Sequence, residues 1–265
     1  MKTNSVNIKK GLLLRVFISG AILLSYGTSP AQDNYEIQVY PSATEEPGKT
    51  MLELHSNMAL RGTTQEIDGV LPTEHALHET FEITHGFTSW FEIGFYTFTS
   101  VQPGPDWQWV GNHIRPRVRV PESWQWPVGL GLSAEFGYQQ RRFATETWSL
   151  EIRPIIDKKL GRWYLSFNPT LGRSLRNAEL SRGFELNPAF KISYDITPKI
   201  AGGFEYYGTL GTLSGFYSFN EQQHQLFPAV DLNLSPDWEF NFGVGFGLSE
   251  ATDRLIVKMI LGRKF

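Results

Sequence analysis

The densest run of chemistry-bearing residues in this 265-residue chain is Arg115, Arg117 and Arg119, three arginines at alternate positions. In an extended strand, residues two apart share a face, so these guanidiniums would form one ladder with His113 above them. Like charges side by side repel unless they find partners. Nearby segments supply Glu92, Glu135, Glu151 and Arg153 on the matching parity, and farther along come Lys191, Glu205, Asp231, Glu239, Arg254 and Lys258. Two chemistries fit such a set: a constriction that selects charged or polar solutes, or a salt-bridge network that fills an interior. Catalysis is poorly served. His55 and Ser56 of LHSNM suggest the base and nucleophile of a lipid hydrolase, but adjacent strand residues point to opposite faces. Of His75, His78 and His85, only the first and last share parity, and they lie too far apart for one metal. The sequence therefore predicts no catalytic residue, no metal site and no cofactor.

The elements that would position these residues follow from composition and periodicity. With no cysteine there is no disulfide framework, thiolate metal site or acylated cysteine. Residues 1–31 carry Lys2, Lys9, Lys10 and Arg15, then the short apolar run VFISGAILLS, then small residues at Ser29 and Ala31. This is the pattern of a cleaved secretory signal peptide. Its removal takes four positive charges from a chain of net charge -3 and leaves -7, with no basic bias toward nucleic acid.

From residue 49 onward the hydrophobic period is two. In WEFNFGVGFGLS, Trp238, Phe240, Phe242, Val244, Phe246 and Leu248 alternate with polar residues and glycines. The expected fold is all-β: an antiparallel transmembrane β-barrel of twelve strands, occupying 49–265. The strands are read at 49–61, 74–86, 88–101, 109–121, 127–140, 145–157, 160–173, 184–196, 198–210, 223–234, 236–249 and 252–265. Residues 32–48 are expected as a periplasmic N-terminal segment, either a short extra strand or a tether. Tight connections alternate with long ones, which fits short periplasmic turns and longer extracellular loops. All eight tryptophans fall at strand ends or turns, as two interfacial girdles require. Pro116, Pro154, Pro169, Pro188 and Pro228 fall inside expected strands at outward parity, so either the strands stop short or the wall is bulged there.

The tail LIVKMILGRKF resembles the C-terminal signature of bacterial outer-membrane barrels: alternating Leu255, Val257, Met259 and Leu261, then a terminal Phe265, with Arg263 departing from the pattern. That resemblance implies Phe265 as the signal read by the barrel assembly machinery. More narrowly, NFGVGFGLSEATDRLIVKMILGRKF is similar to the closing hairpin of outer-membrane proteins associated with phenol-degradation (meta-pathway) gene clusters. This second resemblance implies a transporter of aromatic or otherwise hydrophobic compounds.

A twelve-stranded barrel lies between filled barrels and open porins. The residues point to a narrow channel for small solutes in the bacterial outer membrane, lined by the charged set above and by inward glycines that either leave open lumen or make room for large neighbours. The alternatives are a non-conducting structural or interaction barrel in an envelope assembly and, third, an outer-membrane lipid hydrolase. Arg141, Arg142, Arg173, Arg176 and Arg182 gather at the long-loop end, where they would meet lipopolysaccharide phosphates. Ile256 and Ile260 share the inward parity of Lys258 and have no reason to line an aqueous pore.

Overall fold

In the computed structural model, described for residues 34–265 except 103, 105 and 177, twelve long antiparallel strands form a closed wall. The expected signal peptide lies outside the described residues. The first half of the wall is β1 (Thr50–Arg61), β2 (Leu77–Thr88), β3 (Phe91–Val101), β4 (Trp107–Arg119), β5 (Gly129–Gln139) and β6 (Trp148–Leu160). The second half is β7 (Trp163–Ser174), β8 (Glu185–Thr197), β9 (Ile200–Thr209), β12 (Gln223–Leu232), β13 (Trp238–Gly247) and β14 (Leu255–Lys264). Two-residue strands β10 (Gly211–Thr212) and β11 (Gly215–Phe216) form a small hairpin in the β9–β12 loop. Each long strand pairs with its sequence neighbour in the wall, and β1 pairs with β14 to close the sheet. Every expected strand coincides with an observed one to within three residues at each end.

Alternation does what the sequence requires of it. Phe81, Ile83, Phe95, Ile114, Leu132 and Phe136 are exposed on the outside, where lipid accepts them, while His55, Glu82, Arg115, Glu205 and Lys258 are buried inside. Trp90, Trp124, Trp126, Trp163 and Trp238 sit at the short-turn end; Trp107, Trp109 and Trp148 sit at the other. Arg263, the odd member of the tail, lies 5.1 Å from the ring centres of both Trp238 and Phe265. Its cation stacks on the girdle at headgroup depth. Phe265 N–H and Thr50 N–H bond reciprocally to each other's carbonyls, so the terminal residue completes the closing seam.

All five prolines lie within strands, and none produces a bulge. The β4–β5 ladder opens around Pro116, the β6–β7 ladder around Pro154 and Pro169, and the β12–β13 ladder around Pro228, with the same register on either side of each gap. Pro169 and Pro188 face one another across β7 and β8. The actual register shifts fall elsewhere, at Ala59/Arg61, Gly86/Thr88, Phe98/Thr99 and Asp195/Thr197. A missing N–H thus opens a ladder locally, because neighbouring bonds hold the register.

Inward glycines make room for side chains rather than for open lumen. A Cβ on Gly245 would lie 2.2 Å from Cζ of Phe227, and one on Gly137 would lie 1.9 Å from the His113 ring. Overpacking of this kind costs about 1–3 kcal/mol. Gly245→Ala is therefore expected to lower the temperature at which the barrel loses its compact electrophoretic form. Adding Phe227→Leu to that variant should recover part of the loss.

Candidate functional site

The expected periplasmic segment is in the lumen instead. Residues 34–46 cross from the long-loop end, at the β13–β14 loop, to the short-turn end, at the start of β3, and lead into β1. At the outer end, Asn34 Nδ2 donates to Asp253 Oδ2 of the β13–β14 loop at 2.9 Å, and Thr73 Oγ1 of the β1–β2 loop donates to Asp253 Oδ1 at 2.7 Å. Burial pushes the Asp253 carboxyl above the usual aspartate range, against the pull of these two donors. At the inner end, Gly48 N–H donates to Gly86 O at 2.8 Å.

A segment with no ladder must satisfy its backbone some other way, and inward side chains from seven strands do so. Asn57 donates to Asn34 O, Thr80 to Tyr35 O and Lys258 to Ile37 O. Asn168 accepts from Tyr40 N–H, Ser166 donates to Tyr40 O, and Arg117 donates to Pro41 O. Asp157 accepts from both the N–H and the hydroxyl of Ser42, at 2.8 Å each, and Glu92 accepts from Glu45 N–H at 2.6 Å. Apolar side chains of the segment find inward apolar partners: Ile37 and Val39 cluster with Ala59, Ala189, Tyr207, Phe227 and Ile256. This is why β14 carries isoleucine on its inner face.

The arginine ladder is a clasp around this segment. Arg115, Arg117 and Arg153 place their guanidinium carbons 4.5, 5.4 and 4.5 Å from the centre of the Tyr40 ring. Each cation is also paired. Arg115 contacts Glu82 at 2.6 Å and Glu92 at 3.6 Å, Arg117 contacts Glu92 at 2.7 Å, and Arg153 bridges Glu36 and Glu151 at 3.2 and 2.5 Å. The Tyr40 hydroxyl donates to Glu36 and meets the Tyr96 hydroxyl at 3.0 Å. A second knot centres on Glu205, which binds Lys258, Lys191 (3.1 Å), Tyr207 (2.8 Å) and Asn241 (3.1 Å); Lys191 also reaches Asp231 at 2.8 Å. Glu135 pairs with His113 at 2.6 Å nearer the outer end.

Of the ten lumen residues expected from parity, eight lie on the inner wall within these networks. Arg119 is at the inner mouth, paired with Glu122 of the β4–β5 turn at 2.8 Å. Arg254 is a correction: it precedes β14 in the outer loop, is exposed, and gives its N–H to Arg61 O. At the long-loop end Arg141, Arg142 and Arg176 are exposed, while Arg173 stacks 5.4 Å over Phe184 and Arg182 is partly buried. Ser56 faces outward with Glu79 and His55 faces inward, so the two halves of the hydrolase reading stand on opposite sides of the wall.

Two cavities of about 760 Å³ each flank the segment. The outer one is bounded by Tyr35, Leu71, Phe143 and several glutamates, the inner one by Lys191, Asp231, Trp238 and Glu239, and Gln38 of the segment borders both. Sequence reasoning missed the segment's place because YEIQVYP carries no ladder partner in its own periodicity. Its available signal was the pair of inward isoleucines.

Breaking a buried ion pair by removing one partner costs about 3–5 kcal/mol. Glu205→Gln, which strips the shared carboxylate from two lysines, should thus markedly lower the urea midpoint of the folded barrel. Removing Lys159, half exposed in its contact with Asp195, should change that midpoint by little, as exposed pairs contribute about 0–1 kcal/mol.

No curated protein matches the sequence. Among solved structures, an outer membrane channel from Pseudomonas putida F1 aligns with a TM-score of 0.60 at 10% identity, covering 87% of this chain and all of the other. The KdgM porin aligns with a TM-score of 0.50 at 9% identity, covering 81% and 99%. Both are likenesses of fold. Residues 120–258 match the model of the family described by the MetA-pathway of phenol degradation. With more than half its length in that match, the chain belongs to this family and folds as an outer-membrane β-barrel.

Proposed function

We propose that this barrel is a narrow outer-membrane channel for small apolar or aromatic solutes, closed at rest by its own N-terminal segment. The observation that carries the reading is the pair of cavities meeting at Gln38. Each is large enough for a small solute, and Gln38 of the segment borders both. Every arginine of the clasp has a carboxylate partner, so the constriction has no surplus positive field with which to recruit anions. The outer cavity instead offers Tyr35, Phe143, Leu71 and Ile67, a wall suited to a ring with few polar groups. Membership in a family described by phenol degradation supports the same class. Arg141, Arg142 and Arg176, exposed at the outer end, are proposed to contact lipopolysaccharide phosphates.

Conductance in planar bilayers tests the closure. The native barrel should give small or infrequent steps. Tyr40→Ala, which removes the ring from the clasp, and replacement of residues 35–41 by glycine and serine should each raise open-channel conductance severalfold. Absence of steps from all three folded proteins would favour a non-conducting structural barrel. Liposome uptake of phenol against glucose separates the solute class: equal rates, or faster glucose, would count against the apolar reading.

A further inference from the structure

One cluster lies in the wall beside the clasp and shares Glu82 with Arg115. Glu53 and His55 project inward from β1, and Glu82 faces Glu53 directly across the β1–β2 ladder. On the other side the same row continues through Gly262 of β14 to Glu239 of β13. A Cβ on Gly262 would lie 3.0 Å from Glu53 Cγ and 3.2 Å from Glu239 Cβ, so glycine keeps the space between those two carboxylates clear. Candidate ligand atoms of Glu53, His55 and Glu82 all lie within 4.8 Å of one another.

Two further observations turn this from an acidic cluster into a site. His55 is wholly buried, yet neither ring nitrogen makes a hydrogen bond: Nδ1 has no partner, and Nε2 is 3.3 Å from Glu82 Oε2 out of hydrogen-bonding alignment. Glu82 Oε2 is likewise buried without a hydrogen bond, since Arg115 takes only Oε1. The second observation is the lack of cation partners. Glu53, Glu82, Glu92 and Glu239 face two guanidiniums, those of Arg115 and Arg117. Among the described residues no cation forms a salt bridge with Glu53 or Glu239, and Lys191, in electrostatic range of Glu239, is held by Glu205 and Asp231.

We infer that Glu53, His55 and Glu82 form a binding site for one divalent transition-metal ion of the zinc class, with Glu239 as a further carboxylate on its open side. One imidazole and two or three carboxylates form the donor set that such ions take. Ligand distances of about 2 Å need only modest side-chain rotation from the present spacing. Glu239 borders the inner cavity, which gives the ion a route from the periplasmic end. Because its ligands come from β1, β2 and β13, the ion would tie together strands on both sides of the β1–β14 seam.

The test uses the untagged barrel, folded in detergent and stripped with chelator, titrated with zinc chloride alone by calorimetry. About one equivalent should bind. His55→Gln and Glu53→Gln should each weaken binding by roughly 100-fold or more, since even outer partners of a metal are worth 10–100-fold. His75→Gln, an exposed histidine in the β1–β2 loop, should leave it unchanged. Should either ligand variant fail to fold, Glu239→Gln and anomalous scattering from zinc-soaked native crystals replace it. No binding by the folded native protein overturns the site. So does binding that survives His55→Gln and Glu53→Gln, or anomalous density away from these residues.

Discussion

The structure depends on one constraint: a closed barrel of twelve strands encloses more space than its inward side chains fill, and its interior is lined with charges that cannot stay unpartnered. Tyr40 meets that constraint at its tightest point. Three guanidiniums converge on one aromatic ring, which accepts them through its negative face, while each keeps a carboxylate. In an empty lumen Arg115, Arg117 and Arg153 would repel; with the ring between them they form the inner surface of a socket. The backbone of Tyr40, Pro41 and Ser42 is then bonded by residues of β7, β4 and β6, so wall and segment determine each other's conformation.

This arrangement explains which parts were legible in the sequence. Strand positions were readable because lipid and lumen impose opposite polarity on alternate residues, and the girdles fixed the ends. Tyr40 and Ile37 were unreadable as lumen residues, since YEIQVYP alternates like a strand but a segment bonded mainly by side chains carries no sign of the wall it lies against. Glycines at 137 and 245 showed a parity but not a purpose, because the ring each accommodates comes from a neighbouring strand. Arg254 was misplaced by parity counted one residue beyond the strand's start. The metal cluster was hidden for a related reason. Histidines were compared with histidines, whereas the carboxylate opposite Glu53 is set by strand register, which pairs it with Glu82.

The two charge networks divide the lumen by role. Around Tyr40 every cation is matched and the segment is gripped. Around Glu205 two lysines share one carboxylate, and Lys258 spends a remaining proton on Ile37 O. Between them, Glu239 and Glu53 lie in one row of the inner wall, and among the described residues neither forms a salt bridge with a lysine or arginine.

Opening the path need not expel the whole segment. Withdrawing Ile37 and Val39 would leave Ile256 and Phe227 facing water, and withdrawing Tyr40 would leave three guanidiniums without their common ring. Gln38 is held differently. Its side-chain carbonyl has no hydrogen-bond partner, and it borders both cavities. A rearrangement confined to Gln38 disturbs neither the apolar cluster nor the clasp. On the proposed channel reading, the least costly route between the two cavities therefore runs past Gln38, with the rest of the segment in place.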